Sequence, residues 1–282
     1  MIEVDASVLK QVNESFIIPP KPEILTEIQE ISESSEPSLA DTAVAIAKDV
    51  GLSAAILKVI NSPAYGLARS VSDIRQAVMF LGWDGIRALV QGLKLKEAFA
   101  TNKSCISLER FWDTASEIAD VAMFIGKLVK SKVPIENLYT LGLFHDCGVP
   151  PMAIKYADYV DVLRESNNNF EQNIVELEEM AYKTNHAVVG YFLATAWHLP
   201  KDICQLILLH HDKAFLSKLD GGQDQICFAV LKLAENLVNL ERRHSNTSDW
   251  YHVKSDVLDV LGLSEEDYND LKDDISDHLV AA

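Results

Sequence analysis

The apolar residues of this chain recur with the period of an α-helix almost throughout, and no stretch alternates in the manner of a strand. Ile24, Leu25, Ile28 and Ile31 make one such stripe, and Leu52, Ala55, Ile56, Val59 and Ile60 a second. Ile86, Leu89, Val90 and Leu93 make a third, followed by Phe111, Trp112, Ala115, Ile118, Ala119 and Ala122. The pattern continues through Ile203, Leu206 and Ile207, then through Ile226, Val230, Leu233, Leu237 and Leu240. Each stripe gives a helix one face that must be hidden against another helix, so the expected fold is all-α.

Punctuation between the stripes sets the organisation. Pro19-Pro20-Lys21-Pro22 is stiff and extended, and its last proline suits the first turn of a helix. Ser34 to Ser38 ends that helix, with Ser38 or Asp41 able to cap the next. Asn61 to Gly66 breaks the chain again, and Thr101-Asn102-Lys103-Ser104 divides it into two helical lobes. Further breaks fall at Pro134, Gly148 to Pro151, Asn167-Asn168-Asn169, Pro200 and Gly221-Gly222. Ser255 to His278 carries nine acidic residues and one Lys. Val257, Leu258, Val260, Leu261, Leu263, Leu271 and Ile275 are interspersed there, which predicts short acidic helices docked by an apolar face.

Composition removes several function classes. With 282 residues the chain can build its core without disulfide or metal staples, so any metal would be functional. A net charge of −17, from 25 basic and 42 acidic residues, opposes a phosphate backbone, and neither nucleic acid nor an anionic membrane is expected as partner. Lys94, Lys96 and Lys103 are the only candidate basic patch. Cys105, Cys147, Cys204 and Cys227 lie far apart with no Cys-x-x-Cys, which suits reduced thiols. Met1 to Asp5 is acidic, and no apolar stretch reaches the roughly 18 residues of a membrane span. A cytoplasmic location is expected.

The residues able to carry chemistry are His145-Asp146, His186, His210-His211 and Glu235. Imidazole and carboxylate together suit zinc, manganese or iron in metal-assisted hydrolysis. The His-Asp dipeptide alone is weak, since it recurs at His211-Asp212. Context strengthens the first copy, where the apolar Leu141-Gly142-Leu143-Phe144 meets Cys147-Gly148 at a helix end. A His-Asp hydrogen bond that merely locks that helix end is the alternative. His186 opens an apolar helix with Thr184 or Asn185 as cap. Adjacent helix positions point about 100° apart, so at most one of His210 and His211 is expected to share an interior site with His186. No Gly-x-Gly-x-x-Gly loop, P-loop or Gly-x-Ser-x-Gly elbow is present. Cys147 beside His145 reads as a buried thiol before it reads as a nucleophile.

Several ordered segments together resemble the HDOD domain, a bacterial signalling relative of the HD metal-dependent phosphohydrolases. They are Ile18 to Leu25, Ser38-Leu39-Ala40 through Lys48-Asp49-Val50-Gly51-Leu52, the distinctive Leu57 to Gly66, Val71-Ser72-Asp73-Ile74 with Ala77-Val78, and Leu81-Gly82. The likeness runs from about residue 17 to about residue 240. It implies a two-lobed helical bundle, with an HDOD lobe over 1–103, an HD-like lobe over 104–244 and an acidic helical extension over 245–282. It also implies that His145, Asp146, His186, His210, His211 and Glu235 stand at metal-ligand positions, with Thr114 in the place of an expected His. A site lacking that imidazole is expected to bind Mn, Fe or Zn weakly. HDOD proteins commonly act as regulatory modules without established catalysis. The resemblance therefore implies a bacterial signal-transduction protein working through protein partners, with a nucleotide-like ligand conceivable in the relict pocket. The alternative is a metal-dependent phosphohydrolase acting on a nucleotide or cyclic dinucleotide, with Asp146 as its central residue.

Overall fold

The helices begin where prolines and short polar side chains allow them to. The structure, a computed structural model, describes residues 16, 18–129, 133–168, 171–217 and 222–281. The acidic run Met1 to Asp5 and the breaks at Asn169 and Gly221 lie outside them. Helix α1 (Glu23–Glu33) follows Pro22, and α2 (Leu39–Ala47) is capped by the Ser38 side chain, which accepts from the Asp41 N–H. Asp49 caps α3 (Val50–Ile60) in the same way. A 3₁₀ turn (Pro63–Tyr65) ends at Gly66 with φ +63°, a left-handed conformation natural to glycine. Asn61 organises this loop, donating to the Leu57 and Val71 carbonyls at 2.8 Å each and accepting from the Val71 N–H at 2.7 Å. Helix α4 (Ile74–Phe99) starts on the Asp73 cap and bends at Gly82, whose φ of +66° breaks the helical path.

The remaining helices are α5 (Leu108–Leu128), α6 (Ile135–Phe144), α7 (Val149–Lys155), α8 (Tyr159–Asn168), α9 (Ile174–Tyr182), α10 (His186–Ala196), α11 (Lys201–Leu209), α12 (Gln223–Arg243), α13 (Trp250–Leu261) and α14 (Glu265–Ala281). No strand occurs among the described residues, and the fold is all-α. Helices α5, α6 and α12 pack on one another at the centre. Gly142 lets α6 approach α5 closely, since a Cβ there would lie 2.7 Å from the Ala119 Cα. The apolar core runs unbroken from Ile46 and Ile56 through Leu89 and Leu143 to Val230 and Val257. Trp197 ties its ends together. The indole N–H donates to the Pro19 carbonyl at 2.8 Å, and the Trp197 carbonyl accepts from Gln91 Nε2 at 3.2 Å.

Helices α13 and α14 dock as their apolar residues predict, burying Val257, Leu258, Leu271 and Ile275 while Trp250 stacks on Tyr268. Between α4, α5 and α6 lies a cavity of about 170 Å³ walled by Tyr65, Phe80, Leu81, Met123, Ile135 and Tyr139. Asp120 lies on the same face of α5, about one turn before Met123. No helix among the described residues is long and apolar enough to cross a membrane.

Candidate metal centre

Four histidines meet at the inner ends of α6, α10 and α11. Helix α6 stops at Phe144, leaving His145 as its cap and Asp146 in the turn that follows. Asn185 caps α10, accepting from the Val188 N–H, and so fixes His186 at the first helical position. A Cβ on Gly148 would lie 2.0 Å from the His186 carbonyl oxygen and 2.6 Å from the Gly190 nitrogen. Only glycine permits this contact, which locks the segment after Asp146 onto the start of α10.

Each imidazole is oriented through its Nδ1. His145 donates to the Gly142 carbonyl at 2.7 Å and His210 to the Ile207 carbonyl at 2.7 Å. His186 donates to the fully buried Glu178 carboxylate at 2.7 Å, and His211 to Asp249 Oδ2 at 2.7 Å. An oxygen acceptor at every Nδ1 places the hydrogen there and leaves each neutral ring a bare Nε2. Glu178 is itself held by the backbone N–H of His186 at 2.9 Å and by the Tyr159 hydroxyl.

The bare nitrogens converge. His186 Nε2 is 3.3 Å from His210 Nε2 and 3.1 Å from His211 Nε2. Asp146 Oδ1 lies 3.1 Å from His210 Nε2 and 3.3 Å from His186 Nε2. A tetrahedral ion with bonds of about 2.05 Å spaces its donors about 3.3 Å apart, and an octahedral one with bonds of about 2.1 Å spaces them about 3.0 Å apart. The donor set fits a divalent transition-metal ion in type, these four separations match that spacing, and the outer hydrogen bonds to carboxylate and carbonyl are those of metal-binding histidines.

Electrostatics agree. Burial lowers the His186 pKa, but Glu178 and Asp146 outweigh it and raise the group to about 10. Burial and the neighbouring His211 push His210 down to about 3, and burial also lowers His211. Burial works to raise Asp146, yet His145, His186 and His210 hold it well below the usual carboxylate range. Its side chain is 33% exposed, against 0–2% for His145, His186 and His210, so Asp146 is where the cluster meets solvent.

Beyond Asp146 Oδ2, His145 Nε2 lies 3.4 Å from both that oxygen and Glu235 Oε1. Glu235 Oε2 is 2.9 Å from the Lys232 ammonium but off the hydrogen-bond direction, leaving a buried oxygen without a hydrogen bond. Lys232 reaches Asp249 Oδ2 at 3.3 Å. Burial lowers the Lys232 pKa, but Glu235 and Asp249 raise it further, so the amine is charged.

The structure brings all six predicted side chains together. It corrects the expectation that only one of His210 and His211 would face His186. Both residues stand at the C-terminal end of α11, where the rings lie 4.1 Å apart between centroids, and each Nε2 comes within 3.1–3.3 Å of His186 Nε2. Thr114 stands half-buried on α5. The sequence reading missed Glu178, Asp249, Lys232 and Tyr159. Cys147 is a buried free thiol that donates to the Gly190 carbonyl at 3.5 Å, and burial pushes its pKa well up, the opposite of an activated nucleophile. Lys94 is paired with Asp49 and Glu97, and Lys96 with Asp113, which neutralises two members of the candidate basic patch.

With this geometry in place, the HDOD domain profile matches residues 18–213. The chain belongs to the HDOD domain family. Among solved structures, an HDOD domain protein of Geobacter sulfurreducens is 22% identical with a TM-score of 0.71, covering 97% of this chain and 93% of its own. A Shewanella amazonensis SB2B protein, provisionally named a metal-dependent phosphohydrolase, is 22% identical with a TM-score of 0.66, covering 96% of each chain. A Marinobacter aquaeolei VT8 protein, provisionally named for signal transduction, is 19% identical with a TM-score of 0.67, covering 100% of this chain and 66% of its own. These likenesses are likenesses of fold. A curated relative from Treponema pallidum (strain Nichols) is 26% identical over 197 residues, 69% of this chain, and this chain spans only 38% of that relative's length.

Proposed function

We propose that this chain is a regulatory HDOD signalling module that carries a divalent metal ion on Asp146, His186, His210 and His211, with 1–103, 104–244 and 245–282 as its three parts. The observation that carries the metal reading is the convergence of Asp146 Oδ1, His210 Nε2 and His211 Nε2 on His186 Nε2 at 3.1–3.3 Å, the separation of donors around one small cation. Three imidazoles and one carboxylate suit Zn, Mn or Fe. A bound ion would supply a Lewis-acid centre beside Asp146, the most exposed of the four ligands.

The regulatory reading is supported by the other half of the pocket, where Glu235 stands between His145 and a lysine, and by the resemblance that puts Thr114, which has only a hydroxyl, in the place of a ligand His. Protein contacts are the output, and exposed Val50, Met79 and Phe80 on α3 and α4 are side chains suited to them. A small phosphorylated or nucleotide-like ligand would meet the centre at Asp146. Four free cysteines fit a reducing cytoplasm.

A second reading, hydrolysis of a phosphate ester or cyclic dinucleotide, is favoured by the exposure of Asp146. Elemental analysis of the tag-free chain, paired with a hydrolysis screen in added Mn, Fe or Zn, separates the two. Bound metal without turnover is expected. Turnover lost in Asp146→Ala would establish the enzyme instead, and a chain that takes up no metal would overturn the metal centre.

A further inference from the structure

The six side chains form two donor groups that share Asp146. Its Oδ1 faces His186 and His210, while its Oδ2 faces His145, which in turn faces Glu235 Oε1. The groups differ in one respect. The first is built of Asp146 and imidazoles and contains no lysine or arginine, whereas the second borders a lysine ammonium 2.9 Å from Glu235 Oε2 and 3.3 Å from Asp249 Oδ2.

We infer that Lys232 is a built-in monocation that stands in for a second metal ion, so that the centre takes one divalent ion on Asp146, His186, His210 and His211 and none on His145 and Glu235. The inference rests on the metal reading above and adds the number and place of the ions. Four carboxylates, Asp146, Glu178, Glu235 and Asp249, surround the cluster against the single Lys232 ammonium. One divalent ion would leave that group with one negative charge, and a second would drive it to one positive charge in a largely buried site where charge is weakly screened.

Lys232 is also fixed where it stands. It is 3% exposed and lies one helical turn before Glu235 on α12, so the two side chains share a face. Its ammonium sits 5.9 Å from the Phe228 ring centroid. Asp249 is held from the other side by His211. Swinging the amine away would strand two buried carboxylates.

The test is a Mn²⁺ titration of the chelator-stripped full chain, with ions counted by native mass spectrometry and their coupling read by electron paramagnetic resonance. One uncoupled Mn²⁺ per chain is expected for the wild type and for Lys232→Arg, and two for Lys232→Met. Glu235→Gln should keep the single ion at unchanged affinity. Two ions in the wild type, or one in a folded Lys232→Met, would overturn the inference. Should Lys232→Met fail to fold, loss of the ion in Glu235→Gln overturns it equally. A wild type that binds no ion would show a different failure, that of the metal reading itself.

Discussion

Asp146 and Asp120 are both partly buried and both lie within the α5–α12 bundle, yet their surroundings are opposite. Asp146 is met by His145, His186 and His210 and is held well below the usual carboxylate range against the effect of burial. Asp120 lies on α5 one turn before the cavity residue Met123, and burial, and then the charge of Glu117, raise it to about 7. Burial pushes both groups the same way, so their partners decide the outcome. The contrast separates a region organised around charge from one that leaves a carboxyl unanswered.

Substitutions that add carbon should break the symmetry most strongly. Gly148→Ala must move backbone at the start of α10, so a loss of about 4 kcal/mol or more is expected in urea unfolding, together with loss of metal uptake. Ala88→Leu adds more atoms but points into the 170 Å³ cavity, and should stay within about 1 kcal/mol of wild type. Equal costs at the two sites would show that the centre is no more rigid than the cavity.

The pH dependence of stability sharpens the same comparison. Asp120 has a folded pKa of about 7 against an ordinary value of 3.8, so the folded chain binds more protons than the unfolded one between those values. Its contribution to stability is therefore complete below about pH 4 and is lost as pH rises to about 7, by up to about 4 kcal/mol at about 1.4 kcal/mol per pKa step. Asp120→Asn should flatten that slope between about pH 4 and pH 7 in chemical unfolding, and an unchanged slope would place the carboxyl in water.

Smaller still is the effect expected of Glu178→Gln. The amide can still face His186 Nδ1 but lacks the charge, so zinc affinity measured against a competing chelator should fall about 10- to 100-fold. Asp120→Asn should leave it unchanged. Last, Trp197→Phe removes the donor to Pro19 and should cost about 1 kcal/mol without touching metal affinity.

Much of this was legible because the signals were local. Pro22, Ser38, Asp73 and Asn185 start helices through their own backbone geometry or side-chain oxygens, and neighbouring residues suffice to read them. His145, Asp146, His186 and Glu235 could be singled out by type and by resemblance. Glu178 could not, because it lies between Glu176 and Glu179 on a helix whose other acids are solvated, and only the packing of α9 selects it. Lys232, on a helix, and Asp249, in the turn before α13, hid for the same reason, since a charged residue reads as surface until its partner is known. Asp249 was further masked by falling beyond the boundary drawn at residue 245, although it orients His211. The cavity beside Asp120 was invisible because its walls come from three distant segments.

The bond from Trp197 to Pro19 spans 178 residues and has a consequence for the growing chain. At synthesis rates of about 5–20 residues per second, the Pro19 carbonyl is made about 10 to 35 s before the indole that answers it. Gln91 likewise waits for the carbonyl of the same residue. Helices α1 to α4 must therefore survive on the ribosome with their shared seam open, and that seam closes only after α10 has emerged.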